Sequence, residues 1–218
     1  MHNQPTTKLV ANHYDQLASV YNQGANQHCV NAYTMLIKNH LKGCRRLLEL
    51  GGGSHPHAAY SDAEQIVVSD LSTGMLCHAP AQITKVQCDA QVLPYPDTSF
   101  DGVVSVNLLE HVPNPQLLFD EAARVLQPDG KALFVTPNGD LRLLLEGLER
   151  AHLKLPEGPH RFIQTRKLKL LSEKHFKILE HQVFLACPAI GSCFTRIMDR
   201  LLAPLKFGLF QYILLARK

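Results

Sequence analysis

Leu47-Leu-Glu-Leu-Gly-Gly-Gly-Ser-His55, followed by Ile66-Val-Val-Ser-Asp-Leu71, decides the fold of this chain. The first stretch reads as a short buried strand entering a glycine turn, where the backbone takes positive φ and brings its amides near a ligand. The second reads as a strand ending in a carboxylate, Asp70. An acid about 20 residues beyond the first strand is where a doubly wound α/β sheet grips a nucleoside ribose.

On the N-terminal side, Leu9, Val10, His13, Leu17 and Val20 recur at helical spacing, as do Tyr33, Leu36, Ile37 and Leu41. Gly43 is a stop signal. Strands are predicted over 46–50, 65–69, 84–88, 100–106 and 131–136, with helical segments at 72–78 and 114–126. Ser54 is placed to cap a short helix with Pro56 in its first turn. Gln127-Pro-Asp-Gly130 reads as a turn, and Pro137-Asn-Gly139 as a strand break. Beyond residue 140 the expectation is helices over 141–155, 165–175 and 194–202, a loop over 156–159, and strands over 178–185 and 212–216. Strands alternating with helices argue for an α/β fold, a Rossmann-like sheet of seven mostly parallel strands covered on both faces, the last strand antiparallel.

Composition bounds the function. Of 218 residues, 45% are hydrophobic and 19% charged, which is globular and excludes a disordered chain. Residues 1–140 hold 8 Lys and Arg against 13 Asp and Glu, whereas 141–218 hold 14 against 6. A basic C-terminal third suits an acidic substrate, an anionic surface or nucleic acid, or is a solvated helix face. The six cysteines form no CxxC pair and read as reduced, mostly buried residues. No secretory leader and no bilayer-length apolar run is seen, so the expected location is cytoplasmic.

Four pieces carry chemistry. Glu49 stands before Gly51, Gly52 and Gly53, where it orients the turn or accepts from a ligand amine. Asp70 accepts from two ribose hydroxyls. Asp89, just past the third strand, is placed for an exocyclic amino group of adenine, and the Ala90 amide for a ring nitrogen. All lie at the carboxyl ends of strands, where open α/β sheets bind ligands.

These residues resemble a known family. Glu49-Leu-Gly-Gly-Gly-Ser-His55, Asp70-Leu-Ser-Thr-Gly-Met-Leu76 and Asp89-Ala-Gln-Val-Leu-Pro-Tyr-Pro-Asp-Thr-Ser-Phe-Asp-Gly-Val-Val104 occur in the order of class I S-adenosylmethionine-dependent methyltransferases. Asn107-Leu-Leu-Glu-His-Val-Pro-Asn-Pro115 and Arg124-Val-Leu-Gln-Pro-Asp-Gly130 extend the likeness, which is greatest to the type 11, ubiquinone-methyltransferase-like branch. The resemblance implies S-adenosylmethionine as cofactor. It implies that Glu49 and the glycine turn hold its methionine part, Asp70 its ribose, and Leu71, Met75, Asp89 and Ala90 its adenine. The backbone at Asn107 would meet the methionine ammonium, and the loop through Glu110 and His111 would face the reacting methyl. Tyr14 and Tyr21 would close over the cofactor. The implied organisation is one domain: a helical lid over 1–42, a cofactor-binding core over 43–137, and a substrate-side cap with the C-terminal strands over 138–218.

His55 departs from the pattern by standing where the third glycine is usual. That places the methionine carboxylate contact in question and argues against a dinucleotide site, which needs that glycine. His55-Pro-His57 has no identifiable third partner, so no metal is expected. The candidate general bases are His160, then His111. The expected acceptor is a small apolar or aromatic molecule, on the strength of Phe184, Phe194, Phe207 and Phe210. No nucleic-acid partner and no membrane span are expected; peripheral membrane contact, and a monomer or a homodimer, stay open. Rival readings are a macromolecular methyltransferase, a non-catalytic cofactor-binding module and, last, a nicotinamide reductase.

Overall fold

The computed structural model describes residues 6–21, 27–150, 158–184 and 208–218. The predicted helix 194–202, the end of the 141–155 helix, Phe194, Phe207, Cys187 and Cys193 lie outside them. Helices α1 (Thr7–Leu17) and α2 (Gln27–His40) lead into β1 (Arg46–Leu50). Then come β2 (Gln65–Asp70), α3 (Thr73–Cys77), β3 (Thr84–Gln87), β4 (Phe100–Val106), α4 (Pro115–Val125) and β5 (Leu126–Pro137). Helices α5 (Arg142–Arg150) and α6 (Thr165–Ser172) precede β6 (Phe176–Phe184) and β7 (Phe210–Arg217).

The seven strands lie in the order β3-β2-β1-β4-β5-β7-β6. β7 runs antiparallel between β5 and β6, and the other neighbouring pairs are parallel. The strand order reverses between β1 and β4, the switch point at which open α/β sheets leave a crevice.

Side chains alternate across a strand, and here that period sorts the core. Leu48, Val103, Phe134 and Ile213 face one layer, with α4 and α6 packed on them. Their chain neighbours Leu47, Val104, Leu133 and Leu214 face the other, under Tyr33 and Ile37 of α2 and Leu41 just beyond it. Burial on both faces explains why these strands read as unbroken apolar runs. Phe119 of α4 sits 4.6 Å from the Phe134 ring and 6.4 Å from that of Phe176. Truncating so enclosed an aromatic costs about 3–5 kcal/mol.

Three local expectations are corrected. Gln127-Pro-Asp-Gly130 does not separate helix from strand; it lies inside β5. Phe100 pairs with Leu126 and Gly102 with Lys131, so the tetrapeptide is extra chain within one ladder, accommodated by Asp129 at φ 60°. Ser54 does not stand at the cap position: the short 3₁₀ turn His57–Tyr60 begins after Pro56, which has no side-chain cap to offer. Helix α2 is a sheet-covering helix, because Cys29, Tyr33 and Ile37 belong to the core. Of the two leading helices, α1 is the one laid across the strand tips. Among the described residues no helix is long and apolar enough to cross a membrane.

Candidate functional site

A cleft of about 380 Å³ opens at the carboxyl ends of β1–β4, within the size range of small-molecule sites. Its wall includes Tyr14, Tyr21, Glu49, Gly51, Gly52, Gly53, Asp70, Leu71, Met75, Asp89, Ala90, Asn107 and His111. His160 is not part of that wall. It is buried behind His111, with ring centroids 6.1 Å apart, its Nδ1 2.9 Å from the Gly158 carbonyl and its Nε2 3.3 Å from Glu149. Glu110 is likewise outside the wall: it is buried, accepts from the Thr136 hydroxyl at 2.9 Å and keeps its other oxygen 4.0 Å from His111 Nε2. The loop it belongs to presents His111 alone of the expected pair.

The glycine turn works differently from the expectation. Gly51 and Gly53 have φ of 69° and 51°, but the amides of Gly51 and Gly52 both donate to the Ser69 carbonyl. They bind β2 to β1 rather than pointing at a ligand. What the glycines provide is the lack of a side chain. A Cβ on Gly51 would come within 2.8 Å of Leu108, and one on Gly52 within 2.7 Å of Val68.

Glu49 is fully buried and accepts from the backbone N–H groups of His57 (3.0 Å) and Ala58 (2.7 Å). It thus caps the 3₁₀ turn that follows the glycines, the role the sequence suggested for Ser54. Burial pushes its carboxyl up to about 7, against the lowering effect of those two N–H bonds; the neighbouring Asp70 adds to the rise. A cation entering the cleft would favour its ionised form.

Asp70 ends β2 and accepts from Gly53 N at 3.0 Å and from Ser72 N at 2.8 Å, one on each oxygen. Burial raises its pKa, offset by those bonds. A carboxylate offers about four acceptor positions, so each oxygen can still take a hydroxyl. Asp89 lies two residues beyond Gln87, which pairs with Asp70, so the two acids stand on neighbouring strand tips. Its oxygens are more fully engaged: Gln91 holds both through its side chain and one through its N–H, and Thr7 donates to Oδ2 at 3.3 Å.

Helix α1 spans the opening. Thr7, Val10, Ala11, Tyr14 and Leu17, on one helical face, line the cleft. Beyond Thr7, the Tyr14 hydroxyl lies 3.1 Å from His111 Nε2. Asp15 accepts from the Ser72 hydroxyl at 2.5 Å and from Gly74 N at 3.0 Å. On its other side His111 places Nδ1 3.0 Å from the Pro159 carbonyl. A carbonyl can only accept, so Nδ1 carries a hydrogen, and in the neutral ring Nε2 keeps its lone pair toward Tyr14. The sequence reading missed Thr7, Asp15 and Gln91. The first two follow from the helical spacing that brings Tyr14 to the cleft, and Gln91 from its place two residues after an aspartate, a common backbone-bonding turn position.

Residues 40–134 match a family described as a methyltransferase domain. The chain is 30% identical over 165 residues to the ubiquinone biosynthesis O-methyltransferase of Idiomarina loihiensis, covering 67% of this chain and 68% of that protein. To the protein of the same name from Coxiella burnetii it is 31% identical over 136 residues, 57% of this chain and 58% of the relative. A crystal structure of a methyltransferase from Thermotoga maritima, described as a possible histamine N-methyltransferase, superposes with a TM-score of 0.73. It shares 19% identity and covers 96% of this chain and 100% of that one. The superposition agrees with the seven-stranded sheet described above. The chain belongs to the methyltransferase-domain family of class I, S-adenosylmethionine-dependent enzymes, in its type 11 branch.

Proposed function

We propose that this protein methylates a small apolar or aromatic acceptor within the cleft beneath α1. The observation that carries the reading is the joint placement of the glycine turn, Asp70 and Asp89 around one cavity of about 380 Å³ that α1 covers. A helix bonded across the opening leaves room for small molecules and disfavours a macromolecular acceptor, whatever the charge of the C-terminal third. The ubiquinone O-methyltransferases among the relatives support an aromatic acceptor bearing a hydroxyl. In this reading α1 is the lid of the segment 1–42, residues 43–137 hold the cofactor, and 138–218 shape the acceptor side.

When bound, S-adenosylmethionine supplies a sulfonium methyl already activated for displacement. Asp70 would hold the ribose hydroxyls through the lone pairs left free by Gly53 and Ser72. Leu71 and Met75 would hold the adenine, with Ala90 at its edge. Asp89 would accept from the adenine amino group in exchange for the Thr7 hydroxyl, its longest hydrogen bond. Glu49 keeps the turn in shape, with its charge favoured by the incoming cation. Alignment of acceptor and methyl in an enclosed cleft can account for about 7–11 kcal/mol of barrier lowering at best. For a hydroxyl acceptor, His111 Nε2 is the atom placed to take the proton, directly or through Tyr14, worth about 10²–10⁴-fold. His160, with its nitrogens toward Gly158 and Glu149, positions the wall behind His111.

Calorimetry with S-adenosylhomocysteine, followed by methyl transfer to a panel of phenols, catechols, amines and short RNAs, tests the reading. Micromolar binding with turnover on hydroxylated aromatics is expected. Absent cofactor binding would leave a fold without this activity, and turnover on RNA alone would make the acceptor macromolecular.

A further inference from the structure

Gly158-Pro-His-Arg161 runs as a strap across the loop that follows β4. Two bonds tie it down there. The Arg161 N–H donates to the Glu110 carbonyl at 2.8 Å, and the Pro159 carbonyl accepts from His111 Nδ1 at 3.0 Å. Its far side is held as well: His160 lies 2.9 Å from the Gly158 carbonyl through Nδ1 and 3.3 Å from Glu149 of α5 through Nε2. The strap also meets the lid. Gly158 has φ 65°, and a Cβ built on it would collide with the His13 ring of α1. Bare backbone is therefore required at 158 twice, by its left-handed conformation and by the ring against it.

The strap touches the nitrogen that decides the chemistry of His111. A neutral imidazole carries one hydrogen, and the partner of one nitrogen fixes which nitrogen bears it. The Pro159 carbonyl holds that hydrogen on Nδ1 and leaves Nε2 bare, 3.1 Å from the Tyr14 hydroxyl on the cleft side. With the hydrogen on Nε2 instead, the ring could not take a proton from the cleft. When a hydroxyl acceptor gives its proton to Nε2, its oxygen bonds the methyl carbon as the carbon–sulfur bond breaks, and that electron pair stays on sulfur. The imidazolium so formed keeps the Pro159 carbonyl at Nδ1 and has a Glu110 carboxyl oxygen 4.0 Å from Nε2. The other titratable groups around it are His13 and Tyr14 of α1 and His160 of the strap. Burial, reinforced by the charge of His111, lowers the His13 pKa, so the lid brings a neutral ring to this place at physiological pH.

We propose that the strap 158–161 is a positioning element that makes His111 a proton acceptor by fixing its hydrogen on Nδ1, and that Gly158 lets α1 close onto the strap without dislodging it. This rests on His111 acting as the base for a hydroxyl acceptor. Gly158 and Pro159 act through His111 and are not themselves catalytic.

Long-range proton–nitrogen correlation spectra of the full chain, labelled with nitrogen-15 in its histidines, read the tautomer of each ring, and His111→Asn identifies the His111 signals. At about pH 8, where imidazoles are mainly neutral, the wild-type ring is expected to carry its hydrogen on Nδ1 over Nε2 by about 10-fold or more. Gly158→Ala should lower that ratio about 10-fold. Gly158→Ala combined with His13→Ala, which clears the space the new methyl needs, should recover most of it. A wild-type hydrogen found on Nε2 overturns the proposal with no variant needed. An unchanged ratio in Gly158→Ala overturns it equally. No recovery in the double variant would trace the effect to backbone strain at 158 and overturn the part given to the lid. The spectra do not depend on turnover, so methyl transfer to phenols and catechols that survives in His111→Asn would instead remove the base reading beneath the proposal.

Discussion

The floor of the cleft and its roof are built from different bonds. The floor, from Glu49 through the glycine turn to Asp70, is buried, and its carboxylates are gripped by backbone N–H groups of residues 53, 57, 58 and 72. The roof, α1, is tied down by the side chains of Thr7, Tyr14 and Asp15, at bonds partly open to solvent. Backbone donors in the turns that leave β1 and β2 cannot withdraw without rebuilding those turns, whereas a side-chain bond can exchange for a ligand or water. The floor is therefore pre-organised, and the roof is the part whose bonds a ligand can replace. Changes to the floor should act on affinity and stability together, and changes to the roof on affinity with little effect on stability.

Asp70→Ala should separate the two most sharply. Losing two charge-assisted bonds to the ribose is expected to weaken S-adenosylhomocysteine by about 4 kcal/mol, roughly a thousandfold, read by calorimetry. Near-normal affinity would place the ribose elsewhere.

Glu49 offers a pH test of the floor. Its folded pKa, about 7, lies above the usual carboxylate value of 4.5, so the fold favours the protonated form. The stabilisation is fully present below about pH 4.5 and is lost as pH rises through 7. That loss is on the order of 3 kcal/mol in wild type and absent in Glu49→Gln, on top of a constant penalty for the bond the amide cannot accept. Urea midpoints of both proteins between pH 4.5 and 8 show whether the slopes differ; parallel curves would remove Glu49 as their source.

For the roof, Asp15→Ala removes the acceptor of two bonds to the α3 end. A fall of about tenfold in cofactor affinity is expected, with the urea midpoint changed by less than about 1 kcal/mol equivalent. A large stability loss would make α1 part of the core rather than a cover. Thr7→Val is the smallest change. If Asp89 gives up Thr7 to the adenine, this variant should bind the cofactor as tightly as wild type or up to about threefold more tightly. Weaker binding would mean that Thr7 supports the bound state.

Much of this arrangement was legible in the residues. Strands β1 and β4 were readable to the residue, because burial on both faces leaves a run such as Leu47-Leu-Glu-Leu or Val103-Val-Ser-Val with no alternative partner for its apolar side chains. Asp70 and Asp89 were readable from their spacing after strands. What escaped depended on contacts between distant segments. That Gln127-Pro-Asp-Gly130 bulges inside a strand follows from Gly102 pairing with Lys131, which no local turn signal reports. That Glu49 rather than Ser54 caps the 3₁₀ turn follows from a chain reversal tight enough to return residues 57 and 58 to the end of β1. The order of His111 and His160 along the path to the cleft was likewise beyond spacing, since a loop at 158–160 stacks one behind the other.

One topological detail bears on how the chain reaches this state. β7, the latest of the seven strands in sequence, is inserted between β5 and β6, with its residues from Phe210 to Leu214 buried. Until it docks, β5 and β6 both present unpaired edges and bare apolar faces, an arrangement that invites association between chains. Assembly of the sheet is thus completed from the inside by its final strand, so mutations that slow the docking of residues 210–217 should be felt first as aggregation during synthesis, before any loss appears in the finished enzyme.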